Sequence, residues 1–257
     1  MDDITNCPMC GVKVLVIRRA DGAADHYEHI ERDEANLLAE PCHPVLADFL
    51  RASRIGKRTV AIVGSAHTTG PWAPWGEPDV EIWASNEMHG KVWMDDSLPT
   101  AWFQIHPKSS FTTEHRFDHW GWLQEEHPFP IYMQQVFDLI PASKPYPLRE
   151  IQQDLIGNLY RGEEKIDRLF SSTFSYQVAL ALHMRKFDRI ELFGIELALE
   201  GEYPWQREAL AFWLGKADGM GVDIWLPEQC SLLLQPLYGY EEIRKGDTGS
   251  IIWSKDE

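Results

Sequence analysis

The residues best suited to chemistry gather in a few short runs. Ser171, Ser172 and Thr173 are small hydroxyl side chains set just ahead of an apolar-periodic run through Phe174, Val178, Leu180, Ala181 and Leu182, which is how a capped helix start is written. Such an end presents unpaired N–H groups and a partial positive charge, so it suits an anion such as a phosphate. In "DRIELFGIEL" the apolar Ile190, Leu192 and Phe193 run into Gly194 and set Glu196 just past a strand end, where an open parallel sheet keeps its ligands. Tyr203, Gln206 and Arg207 group at the entrance of the next helix, "EYPWQREAL". Gly64, Ser65 and Ala66 follow another apolar run and are small enough for a ligand to approach the backbone. The plainer reading of the same residues is a capped helix packed on a sheet, with solvated polar groups around it.

These groups need a scaffold, and the chain supplies an α/β one. "TVAIV" is a continuous apolar run ending at Gly64, as expected of a parallel strand covered on both faces. "DVEIWASNE" is a second strand delivering Ser85 and Asn86, "TAWFQIH" a third ending at His106, and "FPIYMQQ" a fourth. Polar residues at successive C-terminal strand ends mark the binding edge of an open sheet. His106 is the candidate general base, since a neutral imidazole can take a proton near pH 7; the alternative is a strand-end histidine that is merely hydrogen-bonded. The expected fold is α/β, a doubly wound, mostly parallel, Rossmann-like sheet with a small N-terminal zinc-ribbon-like module. The boundaries are 1–45 for the module, 46–245 for the sheet domain and 246–257 for a loose tail. The turn at Gly64 lacks the G-x-G-x-x-G spacing of dinucleotide folds. Residues 107–130 place Arg116, His119, Trp120 and Trp122 in a helix read as packing, or as a lid over an acceptor. "PASKPYPLRE" is expected to be a rigid loop, and residues 152–168 a helical insertion or cover.

The module rests on Cys7-x2-Cys10, a tight knuckle in which two thiolates share one zinc ion. A strand, a turn over residues 20–23 and a returning strand bring His29 back towards it, and Cys42 completes the candidate set of Cys7, Cys10, His29 and Cys42. Such a thiolate-rich site is structural, supporting a unit too small to fold alone. The other reading is two ordinary cysteines at a hairpin corner.

Composition bounds the rest. With 257 residues, 44% of them apolar, the chain can bury one substantial core. A formal net charge of −16 argues against broad contact with a nucleic-acid backbone, which needs clustered Lys and Arg. The sequence contains no apolar stretch of membrane-spanning length and the acidic start is not a signal peptide, so a soluble cytoplasmic protein is expected, with no membrane partner.

"TVAIVGSAHTT", "DVEIWASNE" and "SSTFSYQVALAL…FDRIELFGIEL", in that order and spacing over roughly residues 59–230, resemble the sialyltransferase-like Rossmann superfamily. That group includes glycosyltransferase family 42, the Maf-type glycosyltransferases and related pterin diphosphokinases; "EYPWQR" and "PLYGY" look like phage-encoded members, which implies a bacterial host cytoplasm. The resemblance implies a nucleotide-dependent transferase that moves a sugar from a nucleotide-sugar donor to an acceptor hydroxyl on a modified base, glycan or small metabolite. By position it implies donor contacts from Gly64, Ser65, Ala66, Asn86, Ser171, Ser172, Thr173, Gly194 and Glu196. It also gives Tyr203 the part of the tyrosine that helps the phosphate leave, with Arg207 neutralising the same charge. The chain departs from family 42 in having no histidine after His183, where those enzymes carry their base; His106 is the replacement candidate. Two alternatives stand: a catalytically silent nucleotide-binding protein that docks through its zinc module, and a diphosphokinase requiring Mg²⁺.

Overall fold

The computed structural model describes residues 44–66, 68–91, 94, 98–112, 118–197, 203–228, 230 and 232–233. It also gives the backbones of five outlying strands: β1 Asp3–Asn6, β2 Lys13–Arg18, β3 Ala24–His29, β13 Ile243–Lys245 and β14 Ile251–Trp253. For residues 44–48 and 203 the description is of the backbone alone.

The centre is a seven-stranded sheet made of β4 Thr59–Val63, β5 Val80–Ser85, β6 Ala101–Gln104, β7 Ile131–Met133, β8 Ser143–Pro145, β11 Arg189–Phe193 and β12 Asp223–Trp225. Its order is β12-β11-β4-β5-β6-β7-β8, and every pairing is parallel. The chain therefore starts in β4, winds outward through β8, and returns to the other side of β4 as β11 and β12. That reversal makes the gap beyond the C-terminal ends of β4 and β11 the topological switch point, where open α/β sheets bind ligands.

All five residues of β4 and of β11 are buried, because helices cover both faces and leave no solvent side for alternation to report. Val60, Ile62, Ile190 and Leu192 point to one layer, packed with Val178, Leu182, Leu210 and Trp213. These belong to α5 Thr173–Met184 and α6 Tyr203–Gly219. Ala61, Val63, Ile82, Ala84, Trp102 and Phe193 point to the opposite layer, with Leu50, Phe111 and Leu123, from α1 Pro44–Arg54, α2 Lys108–Phe111 and α3 His119–Leu123. The side chains of β4 and β11 thus alternate between two cores, and the doubly wound sheet expected from sequence is present.

α5 begins as its sequence dictates. Ser172 is the N-cap, its Oγ accepting the Ser175 N–H at 3.2 Å, and Arg185 ends the helix in the left-handed region at φ 52°. α6 runs to Gly219, with Gly221 at φ 75° beyond it.

Several expectations are corrected. Residues 143–145 of the supposed rigid loop form β8, an edge strand paired with β7, where Pro145 is tolerated because an edge needs no donor on its outer side. Residues 152–168 are not one helix: α4 Leu148–Leu155 is followed by the short hairpin of β9 Tyr160–Arg161 and β10 Glu164–Lys165. Its turn holds Gly162 at φ 62°, a conformation costly for other residues. Within 107–130, His119, Trp120 and Trp122 lie in a helix as expected, the short α3, while a further short helix, α2, precedes it and Arg116 lies outside the described residues. Towards the C-terminus, β14 pairs antiparallel with β13.

At the N-terminus the expected hairpin is present as β2 and β3, joined by β1 into a three-stranded antiparallel ladder. Val14 lies opposite both Thr5 and His29, so the backbone of His29 sits at the end of the ladder from which residues 7–12 depart. Cys7, Cys10 and Cys42 lie outside the described residues, as does the His29 side chain. The zinc-ribbon character of the module has no support in the described residues, and among them no group of three or more His, Cys, Asp or Glu residues is arranged to hold a metal ion.

Candidate functional site

Because the strands are parallel, the C-terminal ends of β4, β5, β6 and β11 all deliver their residues to one edge. At the switch point β4 and β11 continue side by side past their last strand residues. The Gly64 N–H donates to Phe193 O at 2.8 Å and the Ala66 N–H to Gly194 O at 3.0 Å. The two glycines cross closely: a Cβ on Gly64 would lie 2.4 Å from Gly194 O, and one on Gly194 would lie 2.4 Å from Gly64 O. Ile195 and Phe174 fill the rest of the space beside Gly64. The small residues expected to admit a ligand therefore admit, first of all, each other.

The loop after Gly64 is tied to the loop after β11. The Gly194 N–H donates to Thr69 Oγ1 at 2.7 Å, and the Thr68 hydroxyl donates to the Glu196 carboxylate. Arg207, on the first turns of α6, donates from Nη1 to the carbonyls of Glu196 and Leu197, both at 3.2 Å. Ser171 Oγ donates to Trp205 O at 2.7 Å, linking the start of α5 to the start of α6. Cys230 Sγ donates to Ile195 O at 3.0 Å, and burial pushes that thiol up, so it is a spacer rather than a nucleophile. Gly64, Ala66, Gly194, Glu196, Ser171 and Arg207 are thus one connected constellation. Ser172 and Thr173 are buried, and the Ser172 hydroxyl is committed to the cap and to Ser175 Oγ at 3.0 Å. Ser65 is exposed. The Tyr203 side chain lies outside the described residues, although its backbone begins α6.

Asn86 stands at the end of β5 with φ 57°, a left-handed conformation that asparagine tolerates better than most residues. Its N–H donates to Phe103 O at 3.0 Å, while its buried Oδ1 has no hydrogen-bond partner among the described residues. Two residues earlier, Ala84 O accepts Gln177 Nε2 at 3.3 Å from the second turn of α5, and Gln177 Oε1 is likewise buried without a partner among them. Gln177 was not anticipated. Its only sequence signal is a lone amide inside the otherwise apolar run of α5.

His106 is exposed just beyond β6. More organised imidazoles meet the Gln104 end of the same strand: His119, read from sequence as part of a packing helix or lid, and His89, which was not anticipated. His89, in a short 3-10 turn over Met88–Gly90, places Nε2 at 2.9 Å from His119 Nδ1. His119 Nε2 is 2.9 Å from Gln104 Oε1, at the last position of β6. Trp122 stacks flat on His89, with ring centroids 4.4 Å apart and 4° between planes, and His127 packs against Trp122 at 4.2 Å. Burial, followed by the charge of His127, lowers the pKa of His89 to about 4 against the opposing pull of Asp118. His89 is therefore neutral at pH 7. The segment read as packing does pack, since Trp122 and Trp102 sit 4.5 Å apart, but it also carries this polar chain.

No protein-family model matches the chain, and no curated protein does. Among solved structures it is similar to the sialyltransferase CstII from Campylobacter jejuni in complex with the substrate analogue cytidine-5'-monophosphate. That match has 15% identity over 70% of this chain and 82% of the other, with a TM-score of 0.42. A second structure, the sialyltransferase CST-II in complex with a trisaccharide acceptor and CMP, matches at 14% identity over 77% and 95% of the two chains, again with a TM-score of 0.42. Among the described residues no helix is long and apolar enough to cross a membrane.

Proposed function

We propose that this chain is a nucleotide-dependent transferase, moving a sugar from a nucleotide sugar to an acceptor hydroxyl. The observation that carries the reading is the pair of buried, unpartnered amide oxygens, Asn86 Oδ1 and Gln177 Oε1, at the C-terminal end of β5. An unmet buried acceptor costs about 1–3 kcal/mol, and a ligand that brings N–H or O–H donors removes that cost. A nucleobase amine or ribose hydroxyl supplies such donors, whereas the ionised phosphate oxygens of a nucleotide sugar supply none. The nucleotide lies over Gly64, Ser65, Ala66, Asn86 and Gly194. Its phosphate faces the start of α5 at Ser171, Ser172 and Thr173, and Glu196 accepts from a ribose hydroxyl. Arg207 and Tyr203 stabilise the departing phosphate. Removal of the acceptor proton falls to a histidine at the ends of β5 and β6, where His106 and His89 both stand.

Thermal stabilisation across a panel of nucleotides and nucleotide sugars tests this, because a ligand that binds only the folded state raises Tm. A cytidine or uridine sugar nucleotide at 100 times its Kd should add roughly 2.7 kcal/mol, and turnover should then be measurable with the same donor. Stabilisation by ATP only with Mg²⁺ would point instead to a diphosphokinase. Nucleotide binding without turnover would indicate a silent binding protein, and no response to any nucleotide would end the reading.

The N-terminal module is proposed to hold one structural zinc on Cys7, Cys10, His29 and Cys42. Support comes from the ladder that sets His29 opposite Val14, at the end from which residues 7–12 leave. Three thiolates with one imidazole match the donor preference of zinc. Elemental analysis of the purified chain should give one zinc per chain, reduced to a trace in Cys7→Ser with Cys10→Ser; a metal-free wild type would remove the assignment.

A further inference from the structure

The chain Gln104–His119–His89 has a direction. Gln104 Oε1 can only accept, so His119 Nε2 carries the proton there and His119 Nδ1 is the acceptor. His89 Nε2 must then donate to it. In the neutral ring this leaves His89 Nδ1 as an unprotonated lone pair that takes part in no hydrogen bond among the described residues. His119 is buried, whereas His89 is only half-buried, so the chain opens at one end. That end lies three residues beyond Asn86, on the edge that carries the unpartnered amide oxygens. A tautomer fixed by a buried partner, on a ring that is itself only half-buried, is the arrangement of an oriented base. Among the described residues His106 has no such partner to set its tautomer.

We propose that His89 is the general base of the transfer, with His119 and Gln104 as positioning residues; this rests on the transferase reading above. The acceptor O–H proton passes to His89 Nδ1 as the acceptor oxygen bonds to the anomeric carbon of the donor sugar. The bond from that carbon to the phosphate oxygen breaks, and its electron pair leaves with the nucleoside phosphate. The positive charge gained by His89 is shared when its Nε2 proton shifts towards His119 Nδ1, and His119 Nε2–H remains held by Gln104. Among the described residues, the groups facing the pair are His127 across Trp122 and Asp118 at the N-cap of α3. The neutral ring is the form competent as a base, and the low pKa of His89 keeps it so at working pH.

The test uses the full chain with whichever nucleotide sugar stabilises it most, following the nucleoside phosphate released as the sugar passes to acceptor or to water. His89→Ala should lower kcat by about 100-fold or more. The donor KM and the donor-induced Tm shift should stay within about threefold and a degree or so of wild type, since the donor does not need the base. Added imidazole should restore part of the rate. His119→Asn, which keeps an acceptor for His89 Nε2, should retain more activity than His119→Leu. His183→Asn, at the far end of α5, serves as the unaffected control. Turnover by His89→Ala within threefold of wild type overturns the assignment, as does a loss that imidazole does not reverse, or donor binding by the wild type with no turnover. Those results leave nucleotide binding standing, whereas absence of stabilisation by any nucleotide overturns both the assignment and the reading beneath it.

Discussion

Glu191→Ala is expected to destabilise the chain by about 3–5 kcal/mol, the usual cost of removing one partner from a buried ion cluster. Glu191 is fully buried in the middle of β11, between Ala61 of β4 and Trp225 of β12. Arg54, on the last turn of α1, donates to its carboxylate from Nε at 3.0 and 3.1 Å and from Nη2 at 2.6 Å. Arg189 Nε donates to it at 2.7 Å. Both guanidinium groups are themselves buried, and Arg189 Nη2 already lacks a hydrogen-bond partner. Arg54 keeps a second carboxylate, Glu77, at 2.7 Å, but Arg189 has no such reserve among the described residues. Without Glu191 one buried cation has no counterion, and α1 loses its polar anchor to the sheet. A fall in Tm of roughly 10 °C should accompany the change for a domain of this size. The triple variant Arg54→Met, Arg189→Met, Glu191→Leu should regain most of the loss, because apolar replacement of a whole buried ion cluster is often neutral. Urea unfolding checks both. A single variant as stable as wild type, or a triple variant no better than the single, would show that the cluster does not act through uncompensated charge.

Gly194→Ala should cost about 3 kcal/mol and abolish nucleotide-induced stabilisation. Gly194 has φ 62°, which costs an L-residue roughly 1–2 kcal/mol. Its new Cβ would also lie 2.4 Å from Gly64 O and 2.8 Å from Ala66 O; overpacking of this kind adds about 1–3 kcal/mol. Those obstacles are backbone atoms, so relief requires β4 and β11 to separate past their ends, which moves the binding edge itself. Gly221→Ala separates the two contributions. Gly221 has φ 75°, and a Cβ there would meet nothing within 4 Å, so it should show the backbone cost alone and leave ligand stabilisation intact. Equal losses at the two positions, or normal nucleotide stabilisation in Gly194→Ala, would refute the argument from crossing strands.

Much of the scaffold was legible because burial on both sides writes a strong local pattern. β4 and β11 are continuous apolar runs ending at glycine, and α5 has its serine cap in front of an apolar stretch. β8 was missed because three residues, Ser143–Pro145, are too few to show a period, and a proline reads as a break until an edge position excuses it. The hairpin of β9 and β10 is exposed and polar, so no apolar pattern marks it.

What the sequence determined by itself was the existence of a parallel α/β sheet and the set of polar residues at its strand ends, since both follow from neighbours within a few positions. Pairings across long separations were decided only by tertiary structure. Thr68 meets Glu196 at a separation of 128 residues, and Gln177 meets Ala84 at 93. His89 meets His119 at 30, and that imidazole pair exists only because β6 docks beside β5 and α3 packs back over its end. A histidine's role depends on which atom faces each of its two nitrogens, and that is settled by the order in which strands pack.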